Sequence, residues 1–230
     1  MTIFTELGKQ LDDMFNVIDK TYIAQIMLNV GSLLVDTAKD ILEKQNNRIL
    51  FFDTETTGIP RGNGGIAHYK DDIYKTKGEL LEIAYILCDE DGRNEITGEY
   101  LIKKPLSYRF DNERWHETSS GITAQVLHDE GVEASKVLDN IEKQLMSCNK
   151  IVSYNIEFDI NILKSFCFRN SRSDLVELID EKEHFCLMKY LSGGKRYKKL
   201  SDLYKMRFGE IPSGIHRAMT DTKMCKDLYF

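Results

Sequence analysis

The sequence is poor in residues that interrupt regular structure and in those that build zinc sites or membrane spans. It contains three prolines, Pro60, Pro105 and Pro212, so most of the chain is free to form helices and strands. Its five cysteines include no Cys-x-x-Cys pair, which argues against a zinc site and favours reduced thiols in a cytoplasmic compartment. The most apolar stretch, 22–35, is too short and too polar to span a bilayer.

The chain also lacks an excess of positive charge. Its 31 Lys and Arg residues are outnumbered by 37 Asp and Glu residues, giving a net charge of −6. A net acidic chain is not a general electrostatic binder of nucleic acid, so binding would need a local basic patch or bound cations. No cationic start leads into an apolar run and a cleavage site, so we expect no secretory signal, no membrane association and a cytoplasmic location.

Residues 1–47 differ from the rest in showing a helical apolar stripe and no catalytic motif. We expect Gly31 and Ser32 to interrupt this stripe. The pattern predicts a helical N-terminal extension, 1–47, followed by the main domain, 48–230. We expect the extension to pack on that domain; the alternative is a docking or dimerisation helix. The apolar stripe begins with Phe4, Leu7, Leu11, Met14, Ile18 and Tyr22.

Residues 48–230 alternate between strand and helix patterns. Strands are predicted at Arg48–Asp53, Leu80–Asp89, Ile96–Lys103 and Lys150–Ser153. Helices are predicted at 133–146, 157–169, 200–208 and 217–229. We interpret 60–79 as a long loop without regular structure. This order predicts an α/β fold with a mixed sheet flanked by helices, and sites in such sheets form at the strand ends.

Three carboxylates follow the predicted buried strands. Asp53 and Glu55 lie at and just past the end of one strand, and alternate residues of an extended chain point to the same side. Asp159 follows the strand that ends near Ser153. If the two strands are neighbours, the three carboxylates face one point, where Mg²⁺ would offset their repulsion. The alternatives are solvated surface acids and, for Asp159, an acid stabilised by a helix dipole.

A histidine and an acid lie close together in sequence near the start of the last predicted helix. His216 and Asp221 are five positions apart, a spacing that does not stack them on one helix face. They could approach one site from different directions. The alternatives are a surface or capping histidine and an ordinary helix acid.

Taken together, these residues form three ordered motifs. They are Phe52-Asp-Thr-Glu-Thr-Thr-Gly58, Asn155-Ile-Glu-Phe-Asp159 and His216-Arg-Ala-Met-Thr-Asp221, with Gly121-Ile-Thr123 between the first two. In order and spacing the chain resembles the DEDD exonucleases, in the subgroup with a motif histidine that includes DNA polymerase III epsilon proofreading subunits. One departure is Tyr154, where the family often has histidine; that position is not a metal ligand.

The resemblance implies an RNase H-like fold with a five-stranded mixed sheet and two divalent ions, Mg²⁺ or Mn²⁺. It implies that Asp53, Glu55, Asp159 and Asp221 hold the ions and that His216 accepts a proton from the attacking water. Imidazole suits that role because it titrates near neutrality. The resemblance further implies a substrate-binding set of Thr57, Gly58, Ile122, Asn155 and Phe158.

The function implied is a metal-dependent 3′–5′ exonuclease that releases nucleoside 5′-monophosphates from single-stranded ends, with DNA preferred. One alternative is an RNA-trimming exonuclease or oligoribonuclease. Another is a polymerase-associated nucleic-acid-binding module with incidental hydrolysis. The basic segment 192–207, which includes Tyr197, either contacts the strand's phosphates or is simply a solvated surface.

Overall fold

The computed structural model describes residues 5–9, 25–37, 47–111, 113–193 and 196–230. The chain divides into two units, 1–44 and 45–230. In the first unit, 5–9 and 25–37 are helical and exposed, including large apolar side chains such as Met27 and Leu33. The second helix continues through Gly31 and Ser32, so the expected interruption there is wrong. Other positions of the predicted stripe, such as Leu11 and Ile18, lie outside the described residues.

The second unit is built on a mixed five-stranded sheet, as predicted. Its strands are β1 (Arg48–Thr56), β4 (Leu80–Asp89), β5 (Ile96–Leu101), β6 (Lys150–Ser153) and β7 (Glu183–Cys186). Their spatial order is β5-β4-β1-β6-β7. β4 runs antiparallel to β1 and β5, whereas β6 is parallel to β1 and β7. The sheet therefore places the carboxyl ends of β1 and β6 side by side.

Helices flank this sheet. They are α1 (Glu113–Ser119), α2 (Ala124–Asp129), α3 (Ala134–Met146), α4 (Ile156–Arg169), α5 (Ser173–Asp180), α6 (Leu187–Ser192), α7 (Leu200–Phe208) and α8 (Ala218–Tyr229). The four predicted helices agree with α3, α4, α7 and α8 to within one residue at each end. The other four were not predicted as separate helices. Within the described part of the chain, no helix has the length and hydropathy needed to cross a bilayer.

Side-chain alternation along β1 divides the core between the two faces of the sheet. Leu50 and Phe52 pack in the larger cluster, which includes Leu138 of α3 and Ile160 of α4. Ile49 and Phe51 pack on the opposite face, in the cluster that includes Cys225 of α8. Odd-numbered β1 residues therefore face α8.

The segment 60–79 is more ordered than its sequence suggested. Strands β2 (Arg61–Gly62) and β3 (Gly65–Ile66) form a small hairpin whose turn includes Gly64 at a φ of +96°. A 3₁₀ turn follows at Asp72–Lys75, capped by the Asp71 carboxylate, which accepts a hydrogen bond from the Ile73 N–H at 3.0 Å. The Asn-Gly dipeptide at this turn is typical of a β-hairpin, but the flanking residues lack the alternation by which strands are recognised.

Candidate active site

The strand β1 carries two of the predicted carboxylates within its length. Asp53 and Glu55 do not follow its end, because β1 continues to Thr56. They face α8, as Ile49 does, and they pair across β4 with Ala84 and Glu82 respectively. The prediction that the two carboxylates project to one side of the strand is consistent with this register.

Helix α8 brings a third carboxylate to the same place. The buried alanines Ala84 and Ala218 allow the helix to approach β4, and the Thr222 hydroxyl donates to the Ala84 carbonyl at 3.4 Å. Carboxylate oxygens of Asp221, Asp53 and Glu55 consequently lie within 4.8 Å of one another. Oδ1 of Asp221 is a buried oxygen with no hydrogen-bond partner among the described residues.

The fourth carboxylate approaches from the opposite face of the sheet. Asp159, in the first turn of α4, is buried, and its Oδ1 accepts from the backbone N–H and the hydroxyl of Thr54 at 3.1 and 2.7 Å. Its Oδ2 accepts from the Ser153 hydroxyl. β1 and β6 are neighbours, as the convergence hypothesis required. Asp159 nevertheless lies outside the group formed by the other three carboxylates, because it is directed to Thr54.

Burial and mutual repulsion disfavour the charged forms of these acids. Burial raises the pKa of Asp53 well above its usual range, with the charges of Asp159 and Asp221 adding to the effect. Burial likewise raises the pKa of Glu55 to about 9. It raises the pKa of Asp159 to about 6, although hydrogen bonds from Ser153 and Thr54 act in the opposite direction. The pKa of Asp221 is also raised to about 6, mainly by burial.

These properties fit a divalent cation. Asp53, Glu55 and Asp221 offer the hard oxygen ligands that Mg²⁺ and Mn²⁺ bind, and the buried Oδ1 of Asp221 lacks another partner among the described residues. The raised pKa values of these carboxyls show that burial, and for Asp53 and Glu55 also the neighbouring acids, disfavour their charged forms, a cost that a bound cation would offset. A bound divalent ion would supply Lewis-acid activation of water and stabilisation of negative charge on phosphate oxygens.

His216 lies two residues before α8, and its side chain is exposed. Its backbone has a φ of +67°, in the left-handed region, close to Gly214 at +77°. This turn allows the His216 backbone N–H to donate a hydrogen bond to the Asp221 carboxylate, which partly opposes the rise in its pKa. The main chain of His216 is thus part of the site, and the structure leaves the role predicted for its imidazole untested.

An ion pair beside these residues, between the buried Glu82 and the half-buried Arg217, was not predicted from the sequence. Glu82 is 0% exposed, and its carboxylate accepts from Arg217 Nε at 2.9 and 3.1 Å and from the Ala218 backbone N–H at 3.0 Å. Arg217 also contacts the partly exposed Glu99 at 3.2 Å. Glu82 is an isolated acid within the apolar run of β4. Because a buried carboxylate needs a partner, this pattern could have predicted an ion pair.

The predicted substrate residues lie at three different places. Thr57, Gly58 and Phe158 line a cavity of about 430 Å³ that also includes Glu55. Asn155 lines a neighbouring cavity of about 510 Å³, which shares Phe158 with the first. Ile122 is buried in a core cluster with Leu81 and Leu127.

Two hydrogen bonds join Thr57 to Glu79 beside the first of these cavities. The Thr57 N–H donates to the Glu79 carbonyl at 3.0 Å, and the Thr57 hydroxyl accepts from the Glu79 N–H at 3.1 Å. His116, which sequence reasoning also missed, lines the same cavity. Burial lowers the pKa of its imidazole, which favours the neutral form, while a hydrogen bond to the Thr56 backbone opposes this shift.

Solved structures with the same fold support this architecture. Pop2p from S. pombe, in its Mg²⁺- and Mn²⁺-bound form, is 14% identical and has a TM-score of 0.59, with 86% of each chain covered. E. coli Exonuclease I in complex with a dA16 oligonucleotide is 18% identical, with a TM-score of 0.57. That match covers 80% of this chain and 40% of Exonuclease I. The predicted α/β, RNase H-like fold is therefore confirmed.

The family of the chain follows from its sequence match. No curated protein sequence matches this chain at a significant level. A family model described as an exonuclease, RNase_T, matches residues 50–229. The matched range contains all four predicted metal-ligand carboxylates and His216. Because the match spans most of its length, the chain belongs to the RNase_T exonuclease family.

Proposed function

We propose that this chain is a metal-dependent 3′–5′ exonuclease of the DEDD type with a motif histidine. It would release nucleoside 5′-monophosphates from single-stranded ends, with DNA preferred. The observation that carries the proposal is the convergence of Asp53, Glu55 and Asp221 in a chain of the exonuclease family. Three half-buried carboxylates that form no ion pair with any described residue suit a reaction in which both the ions and the phosphate arrive from solution.

The proposed roles follow from position. Asp53, Glu55 and Asp221 hold divalent ions, and Asp159, hydrogen-bonded to the residue between the first two, completes a set of four that serves two ions. His216 accepts the proton of the attacking water, while its backbone N–H orients Asp221. The Mg²⁺ and Mn²⁺ in the Pop2p structure support this metal preference.

The terminal nucleotide is assigned to the cavity next to Glu55. Thr57, Gly58 and Phe158 line this cavity, and Asn155 lines the neighbouring one. Ile122, buried in the core with Leu81 and Leu127, is proposed to support this site indirectly. The oligonucleotide in the Exonuclease I structure supports a single-stranded DNA substrate.

We assign catalysis to 48–230 and association with a polymerase or with a second copy to 1–47. The exposed apolar side chains of the helix 25–37 support a role for this segment in association. A cytoplasmic role in DNA repair or proofreading agrees with the proposed activity.

The test is a time course on 5′-labelled DNA and RNA strands of the same sequence with Mg²⁺. A descending ladder of labelled products is the expected result, with the DNA strand shortened faster. Immediate release of the labelled nucleotide would show the opposite polarity, and internal cuts would show an endonuclease. Faster shortening of RNA would replace the DNA preference with the RNA-trimming alternative.

A further inference from the structure

A second groove adjoins the candidate active site. It is the cavity of about 510 Å³ named above, and we call it the upstream groove. The β2–β3 hairpin, the start of α4, α6 and the segment 196–199 contribute its lining. Ile59 and Phe158 line both this groove and the cavity beside Glu55, so the two spaces are continuous along these residues.

The lining of the groove combines aromatic rings with positive charge, a combination that suits a nucleotide. Tyr197 lines it with 54% of the residue exposed, and Phe158 provides a second aromatic ring. Arg61 is exposed and forms no ion pair with any described residue. The carboxylate of Glu157 is matched by Lys189 at 3.7 Å, so Arg61 leaves the lining with net positive charge.

The backbone next to Tyr197 is held by Tyr154, the residue that precedes the Asn155–Asp159 motif. The hydroxyl of Tyr154 donates a hydrogen bond to the backbone carbonyl of Lys198, the residue next to Tyr197. The Tyr154 carbonyl in turn accepts from the Met188 N–H at 2.9 Å, at the start of α6. An aromatic side chain on an anchored backbone is a suitable stacking platform, because little freedom is lost when a base binds.

We propose that the upstream groove binds the nucleotide on the 5′ side of the terminal one, with Tyr197 stacking on its base and Arg61 contacting its phosphate. This inference rests on the proposed function, since it takes the cavity beside Glu55 as the terminal site. Stacking accepts any base, so the groove contributes affinity for strand length rather than for sequence. The enzyme accordingly prefers substrates of two or more nucleotides over single-nucleotide esters.

The test compares two substrates that differ in whether they reach the groove. The p-nitrophenyl ester of thymidine 5′-monophosphate occupies the terminal site alone, whereas a thymidine tetranucleotide extends into the groove. We expect Tyr197→Ala to lower the ratio of kcat/KM for the tetranucleotide to that for the ester by about 5- to 100-fold. Tyr197→Phe should retain most of the ratio, because it keeps the ring, and Arg61→Ala should lower it.

Two control variants test whether the loss of any exposed tyrosine or arginine, rather than of Tyr197 or Arg61, changes the ratio. Tyr190→Ala removes an exposed tyrosine that lies outside the lining of the groove, and Arg93→Ala removes an exposed arginine of the β4–β5 turn. Both should leave the ratio at the wild-type value. If Tyr197→Ala and Arg61→Ala cleave both substrates normally with an unchanged ratio, the groove does not bind this nucleotide. That result would leave the proposed function intact.

Binding provides a readout that does not depend on hydrolysis. Fluorescence anisotropy of a labelled hexathymidylate in Ca²⁺ should show weaker binding to Tyr197→Ala than to Tyr190→Ala. If the wild type cleaves neither substrate yet shows this difference, the proposed activity is wrong, and strand binding at Tyr197 is supported without its assignment to the nucleotide next to the terminal one. Equal binding by the two variants would contradict the proposed stacking of a base on Tyr197.

Discussion

The buried Glu82 and the half-buried Arg217 form an ion pair that joins β4 to the start of α8, directly beside the candidate metal site. The Glu82 carboxylate is opposite Glu55 in the sheet register and also accepts the first N–H of α8. Arg217 is the residue between His216 and Ala218, and its carbonyl accepts from the Asp221 N–H at 3.1 Å. The pair therefore fixes the position from which both His216 and Asp221 approach Asp53.

We predict that Glu82→Gln weakens catalysis by about 10- to 100-fold, the cost expected from a small displacement of catalytic groups. Stability should fall by about 1–3 kcal/mol, as expected for losing hydrogen bonds to a charged partner. The Mg²⁺ concentration that gives half-maximal rate should rise as well, because Asp221 moves with the helix start. Kinetics across a Mg²⁺ titration and denaturant unfolding measure these effects.

The control for that variant is Glu99→Gln. Glu99 contacts the same guanidinium from the exposed side, where an ion pair contributes about 0–1 kcal/mol. It should leave both the rate and the Mg²⁺ requirement near the wild-type values. Equal effects of the two substitutions would show that Glu82 has no special positioning role.

A second prediction concerns the imidazole of His216. Its backbone φ of +67° makes alanine an unsuitable replacement, whereas asparagine tolerates the left-handed region. We expect His216→Asn to slow cleavage by about 10²–10⁴-fold, the usual range for a general base. The thermal shift produced by Mg²⁺ should persist, because the backbone N–H to Asp221 remains. A near-wild-type rate would remove the imidazole from the mechanism.

A third prediction follows from the raised carboxyl pKa values. The folded state holds protons that the unfolded chain, with carboxyl pKa values near 4, has already released. The stability contributed by this difference is complete below about pH 4 and is lost as pH rises through about 6 and then 9. These carboxyls should therefore lower the melting temperature in EDTA as the pH rises from about 4 to about 9.

Mg²⁺ should counteract that loss, because it binds the deprotonated carboxylates. The difference in melting temperature between Mg²⁺ and EDTA is expected to grow as the pH increases. Glu55→Gln, which removes the group with a pKa of about 9, should flatten the upper part of the profile. A Mg²⁺ effect that is constant or decreases with pH would contradict the assignment.

A fourth prediction concerns the extension. The described hydrophobic core clusters consist entirely of residues from Ile49 onwards. In place of the packing expected from the sequence, we predict that a 48–230 fragment folds and cleaves free oligonucleotides, and that it loses any self-association that the full chain shows. Melting temperature and solution mass of the two proteins measure this. A markedly less stable or aggregating fragment would instead support packing of 1–47 on the catalytic domain.

The sequence revealed most of the sheet because its central strands carry strong local signals. The apolar runs at β1, β4 and β6 reflect burial on both faces, so their location could be predicted from hydrophobicity alone. The helices α1, α2 and α5 are short, and eight or fewer residues provide too little periodicity to recognise. The β2–β3 hairpin was missed because a two-residue strand has no alternation.

The candidate site could be predicted as a set of residues but not as a geometry. Local spacing placed Asp53 and Glu55 on one side of a strand. It could not show that Asp159 turns to Thr54, since that contact crosses 105 positions in the sequence. The Glu82–Arg217 pair likewise depends on β4 and α8 meeting across 135 positions.

The central claim is that Asp53, Glu55 and Asp221 hold the divalent ions that drive hydrolysis. The most direct measurement is the cleavage rate of a 5′-labelled single-stranded oligonucleotide as Mg²⁺ is titrated, for the wild type and for Asp53→Asn. We predict a descending ladder that requires Mg²⁺ and disappears in excess EDTA, and no ladder from a folded Asp53→Asn protein at any Mg²⁺ concentration. Full hydrolysis in excess EDTA, or an unchanged ladder from Asp53→Asn, would contradict the account.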